Sequence, residues 1–220
     1  MQIEISRQWF GLTVTDTDSS YLLRVKKDNI GDLGAIYFMI PSPCKIAKET
    51  SIPVTARNIC EYPSRLFPIN PDHQYTEIGA GLAGFIPEVT RKSSQNSPKP
   101  ICIDLFDYSL GYNLLKIAHA NSNPNEQKLI EILIERHAII TDPSKVNLIN
   151  STLGEAIENN PKLIGKSDIV VDYCGPRVYP ETEFNKSTLR TPENIREQLE
   201  ENVKRLEKLL LRPNGLRITS

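Results

Sequence analysis

Apolar residues beyond about position 74 fall into short runs separated by stretches of helical spacing. The first run leads through Ile78 to Gly79, and a helix is expected over Phe85-Ile86-Pro87-Glu88-Val89. A polar loop from Lys92 to Pro100 precedes a second run, Ile101-Cys102-Ile103. Leu110, Leu114, Leu115 and Ile117 then mark a helix, Asn121 to Asn125 breaks it, and Leu129, Ile130, Leu133 and Ile134 lie at helical spacing on the next. Val146 to Ile149 reads as a third strand, followed by a short helix over Leu153 to Ile157, and Asp168 to Val171 as a fourth, ending at Asp172-Tyr173-Cys174-Gly175. The last helix carries an N-cap at Thr191, Pro192 in its first turn and the stripe Leu199, Val203, Leu206, Leu210. Arg212-Pro213-Asn214-Gly215 stops it, and Leu216-Arg217-Ile218 reads as a fifth strand. Strands alternating with helices imply an α/β fold, a mostly parallel sheet with helices on both faces.

The N-terminal pattern differs. Leu12 to Thr15 and Tyr21 to Val25, separated by Asp16-Thr17-Asp18-Ser19-Ser20, read as a hairpin. Ala35 to Ile40 is a strand or a short buried helix ended by Pro41-Ser42-Pro43. The chain is therefore expected to divide near residue 70. Residues 1–70 form a small strand-rich lobe, and residues 71–220 a Rossmann-like cofactor-binding domain.

The chemistry concentrates at Glu77-Ile78-Gly79-Ala80-Gly81-Leu82-Ala83-Gly84, with Asp104 twenty residues beyond Gly84. Strand, tight glycine turn, helix, strand and acid together form a device for holding a nucleoside-bearing cofactor. Glycines let the backbone approach a ligand where a Cβ would clash, and the second acid can accept hydrogen bonds from a ribose diol. The same glycine spacing occurs in plain turns and in flavin- or nicotinamide-dependent oxidoreductases. Two features separate this chain from those enzymes: Glu77 interrupts the apolar strand, and the turn lies deep in the chain.

Composition narrows the classes. The 220 residues carry a net charge of −1, which does not provide the basic face that general nucleic-acid binding needs. No apolar run of about eighteen residues and no signal-peptide pattern is present, so no membrane role and a cytoplasmic location are expected. Cys44, Cys60, Cys102 and Cys174 form no CxxC, and His73, His119 and His137 show no metal-ligand spacing, so no metal site is expected.

From about residue 74 to the C-terminus, the order of elements resembles a class I S-adenosylmethionine-dependent methyltransferase. Glu77-Ile78-Gly79-Ala80-Gly81 is similar to that family's first motif. Asp104 stands where its ribose-binding acid ends the second strand, and Asn150-Ser151-Thr152-Leu153 where it contacts adenine. Ser167 to Val171 resembles its fourth strand, and Leu211 to Leu216 the entry to its fifth. The resemblance implies S-adenosyl-L-methionine as cofactor and methyl transfer to a small-molecule or protein acceptor. Gly79, Ala80 and Gly81 would then border the methionine portion, with Glu77 serving its ammonium end through water or by ordering the loop. Asp104 would hold the ribose, Leu105 one adenine face, and Ser151 or Thr152 the adenine edge. Asp172 and Tyr173 would lie nearest the reacting centre, as base or as orienting groups.

The chain departs from the family pattern in several places. Ala83 stands where a third glycine is common, Asn150-Ser151 where many members have an acid, and no Asn-Pro-Pro-Tyr follows the fourth strand. The family's last two strands have no residues to form them, so either the chain is expected to be shortened or that sheet edge is covered by the N-terminal lobe or by another subunit, as in a homodimer. Each residue also has a plainer role: Ser151 and Thr152 as an N-cap pair, Asp172 as the start of a turn, Asp104 as a helix cap, Asp168 as a structural acid at the outer strand end. The alternatives to a methyltransferase are an FAD- or NAD(P)-dependent oxidoreductase and a methyltransferase-like binding protein without turnover.

Overall fold

The computed structural model describes residues 2–7, 20–27, 31–39, 67–172 and 193–219. Two sheets are present. Strands β1 (Gln2–Arg7), β2 (Ser20–Lys27) and β3 (Gly31–Met39) form an antiparallel sheet in that order. Five parallel strands, β4 (Tyr75–Ile78), β5 (Ile101–Ile103), β6 (Asn147–Ile149), β7 (Ser167–Asp172) and β8 (Leu211–Thr219), form the second, in the order β6-β5-β4-β7-β8.

The expected α/β architecture is therefore the observed one. Alternation along the central strands sorts residues between two apolar clusters, as a side-chain period of two requires. Tyr75, Cys102, Ile169 and Val171 face one cluster, with helices α1 (Phe85–Lys92), α2 (Tyr108–Asn121) and α3 (Pro124–Ile140). Ile78, Ile101, Ile103 and Val170 face the other, with α4 (Leu153–Asn159), Leu163 of a short 3-10 turn and α5 (Glu193–Leu210). Burial on both faces explains why these strands read as nearly continuous apolar runs.

The antiparallel sheet is built on the same alternation. Leu23, Val25, Ile36 and Phe38 join the first cluster together with Leu114 of α2. Gly34 allows the close approach: a Cβ there would stand 2.6 Å from a Leu114 methyl. On one side β2 pairs with Gln2–Arg7, with Ile3 opposite Val25 and Ile5 opposite Leu23, and on the other with β3. The expected pairing with Leu12 to Thr15 involves a segment outside the described residues. Residues 35–39 are strand and not helix.

Helix boundaries follow their caps. Asn123 caps α3 in a reciprocal box with Glu126, with Pro124 in the first turn. On α5, Val203 and Leu210 of the expected stripe are buried; Thr191 and Pro192 lie outside the described residues. Arg212 to Gly215 does not form a separate turn after the helix. It is an excursion within β8, between the pairs Ser167–Leu211 and Ile169–Leu216. Asn214 adopts φ 66° there, and Arg212 pairs with Asp168.

Candidate functional site

The carboxyl ends of β4, β5, β6 and β7 bring most of the sequence-predicted residues to one edge of the parallel sheet. Ile78 is in register with Ile103 of β5 and Asp172 of β7, and Ile103 with Ile149 of β6. Gly79, Asp104 and Asn150 follow directly. Strand order reverses about β4, so this edge is the place where open parallel sheets present a ligand crevice.

The glycine turn is fixed from every side. Gly79 and Gly81 have φ 68° and 49°, values at which a side chain is strained. The Gly79 N–H donates to the Ile103 carbonyl (2.9 Å), and the Ala83 N–H to the Ala80 carbonyl (2.8 Å). Asp104 Oδ2 accepts the Gly81 N–H, the Tyr108 hydroxyl lies 3.1 Å from both the Gly81 carbonyl and Asp104 Oδ2, and Arg136 Nη1 donates to the Leu82 carbonyl (2.9 Å). These bonds hold the loop rigid. The space beside Gly81 is nevertheless open: a Cβ built there would meet no atom within 4 Å.

Glu77 is fully buried, and its Oε2 accepts the Ile86 N–H at 3.1 Å. Gly84, the cap residue of α1, has no side chain to serve the orphan donors of the first turn. A carboxylate from the preceding strand does so instead, and its charge lies at the positive end of the helix. A dinucleotide places its pyrophosphate at this position. Here the Glu77 carboxyl group already takes a first-turn N–H.

Asp104 is 8% exposed. Besides the Gly81 N–H and the Tyr108 hydroxyl it accepts the Phe106 N–H at 3.0 Å through Oδ1. Burial raises its pKa above 3.8, against the lowering effect of those hydrogen bonds. Burial likewise raises Tyr108 and the Cys102 thiol, and the Asp104 charge adds to both. Next to this buried acid, Leu105 is 52% exposed and offers an apolar surface at the same edge.

The remaining predicted residues separate. Asn150 Nδ2 donates to the carbonyls of Asp104 and Phe106, both at 2.9 Å, and so ties the β6 end to the β5 loop. Thr152 is the N-cap of α4: its hydroxyl accepts the Glu155 N–H and donates to the Glu155 carboxylate. The Ser151 hydroxyl is turned to the Thr152 carbonyl. Thr152 is thus seen in the capping role, while the Ser151 hydroxyl caps no helix N–H among the described residues. Asp172 is fully buried at the mouth of β7, while Tyr173 lies outside the described residues. Asp168 is at the opposite strand end, bound to the Gln74 N–H and to Arg212, a structural acid as expected.

Tyr108, Arg136 and His137 are contributors that the sequence reading missed. His137 is stacked on Tyr112, with ring centroids 4.9 Å apart, and its Nε2 lies 2.8 Å from the Tyr108 carbonyl. A signal existed: Arg136 and His137 continue the buried face of α3 three and four residues after Leu133. Polar residues at such positions are held by specific partners. Among the described residues no helix is long and apolar enough to cross a membrane. In comparison with known proteins, no family model matches the chain and no curated protein matches it.

Proposed function

We propose that the glycine-turn edge binds S-adenosylmethionine and that the protein is a methyltransferase acting on a small-molecule or protein acceptor. The observation that carries this reading is the Glu77 carboxylate at the first turn of α1, beside a glycine turn on the central parallel strand. At this turn the Ile86 N–H is already taken by a side-chain carboxyl group instead of being left for a phosphate. A phosphate-free cofactor suits that arrangement better than the pyrophosphate of FAD or NAD(P).

The residues present fit such a group. Open space beside Gly81 admits a ligand against the backbone, and Leu105 presents apolar surface for a base. Asp104, with its oxygens on Gly81, Phe106 and Tyr108, has one of its roughly four lone-pair sites left for a ribose hydroxyl and ties that contact to the shape of the turn. S-adenosylmethionine, when bound, supplies a methyl group on a sulfonium, which departs as a thioether as the acceptor's lone pair forms the new bond. The chain's own part is positioning, which can lower a barrier by roughly 7–11 kcal/mol in favourable cases. The Asp172 carboxylate, in register with Ile78 at the mouth of the crevice, orients the acceptor or takes its proton.

Calorimetric titration with S-adenosylhomocysteine, with NADPH and FAD in parallel, tests the reading. It expects saturable one-site binding of S-adenosylhomocysteine alone. Binding of NADPH or FAD in its place overturns it.

A further inference from the structure

The other end of the same strands carries a second site. A cavity of about 720 Å³ opens where the chain enters β4, β5, β6 and β7, a volume in the range of small-molecule pockets. With four residues in β4, it lies about 13 Å along the strand from the glycine turn. Ile101, Val146 and Leu163 are buried and supply apolar walls. Three of the lining residues are lysines, Lys99, Lys162 and Lys166, and no described carboxylate lines the cavity.

The charges around it do not cancel this excess. Asp142, adjacent to the lining residues Thr141 and Pro143, is committed to Lys145 at 3.0 Å and to Ser144. Asp168, two residues after Lys166, is paired with Arg212. Among the described residues Lys99 Nζ donates to a neutral group, the Pro143 carbonyl at 3.1 Å. Lys162 and Lys166 make no ion pair among the described residues.

The loops that carry the lysines are fixed. Lys162 sits in the 3-10 turn Pro161–Leu163. The Gly165 N–H is bonded to the Leu209 carbonyl (2.8 Å) and the Lys166 N–H to the Leu163 carbonyl (3.2 Å). The Lys99 carbonyl accepts from Gln74 Nε2 at 2.8 Å. The backbone is thus set before any ligand arrives, which reduces the ordering cost of binding. Asn147 and Asn160 add neutral amide groups to the lining.

We propose that this cavity binds a small organic phosphate, with the phosphate held by Lys99, Lys162 and Lys166 and an apolar body against Ile101, Val146 and Leu163. A nucleic acid needs a longer basic face than three lysines on a chain of net charge −1. The site stands apart from the glycine turn and does not depend on the cofactor assigned there.

The probe is 1-naphthyl phosphate, titrated by calorimetry and by amide chemical-shift mapping, with inorganic phosphate and 1-naphthol as separate arms. The full chain is compared with a Lys162→Gln/Lys166→Gln variant. Both lysines are exposed, so the melting temperature is expected to stay unchanged. The expected result is one-site binding that weakens about tenfold in the variant, with shifts at Lys99, Ile101, Asn147, Asn160 and Lys162–Lys166. Inorganic phosphate should bind more weakly by a similar factor. No saturation up to about 10 mM, or equal affinity in the variant, overturns the proposal. Equal affinity for inorganic phosphate, tightest binding of 1-naphthol, or shifts confined to the glycine turn do so as well.

Discussion

Glu77 Oε2 and the Ile86 N–H, nine residues apart, meet at 3.1 Å inside the protein and join the end of β4 to the start of α1 across the glycine turn. The bond performs two tasks. It satisfies a donor that Gly84 leaves without a side-chain cap, and it occupies a first-turn N–H of the kind that binds phosphate at other helix starts.

Replacing Glu77 by Ala is expected to cost about 2 kcal/mol, the sum of a lost cap and a buried donor left unmade. Glu77→Gln keeps an acceptor oxygen and should cost less than half as much. Urea denaturation of the three proteins checks the order. Equal stability of Ala and wild type would show that the carboxylate does not hold the helix.

Gly81→Ala separates conformation from ligand space. Its Cβ meets nothing within 4 Å, so the stability loss is that of φ 49° alone, about 1–2 kcal/mol. If the open space receives the cofactor, S-adenosylhomocysteine affinity falls by more than about tenfold while the variant remains folded at 25 °C. Unchanged affinity would place the ligand elsewhere.

Asp104 gives a pH dependence of definite sign. Burial raises its pKa in the folded protein above 3.8, so the folded state binds the proton more tightly than the unfolded state. The stability this provides is complete below pH 3.8, and it is lost as pH rises through the folded-state pKa. Carbon-13 NMR titration of the Asp104 carboxyl should give a midpoint above 3.8, and Asp104→Asn should remove the corresponding slope from stability measured against pH. A midpoint at or below 3.8 would mean that the Gly81, Phe106 and Tyr108 hydrogen bonds outweigh burial.

Glu207 of α5 is fully buried and bound to Arg217 Nη1 of β8 at 2.9 Å; its Oε1 has no hydrogen-bond partner among the described residues. Arg217→Ala would leave a buried carboxylate without its cation, at a cost of about 2–3 kcal/mol after allowance for the partial exposure of the arginine. The double change Arg217→Leu/Glu207→Leu should recover most of that loss. Chemical denaturation reads both, and a double variant as unstable as the single one would refute the assignment.

The parallel sheet was legible because its central strands are buried on both faces, so that Ile101-Cys102-Ile103 and Ile169-Val170-Val171 stand out as apolar runs. The α5 stripe was legible from spacing; Asn121 to Asn125 reads only as a helix break, and the Asn123 cap and Pro124 start of α3 within it were missed. The pairing of β1 was missed, although Ile3 and Ile5 alternate with polar residues as a half-buried strand should. The site was legible as a glycine turn between two acids, but the partners of those acids were not. Tyr108, Arg136 and Asn150 reach the turn and its neighbouring loop from α2, α3 and the end of β6, and such contacts exist only once the sheet order is known. Thr152 reads equally as ligand contact or helix cap, and the structure shows its contact with Glu155 as a cap.

The central claim is that the carboxyl edge of the parallel sheet binds S-adenosylmethionine, and amide chemical-shift mapping during titration with S-adenosylhomocysteine tests it most directly. The prediction is a set of shifts at Gly79, Gly81, Asp104, Leu105 and Asp172 that saturate together with a single dissociation constant. Shifts absent at ligand excess, or confined to the lysine-lined end of the strands, would contradict it.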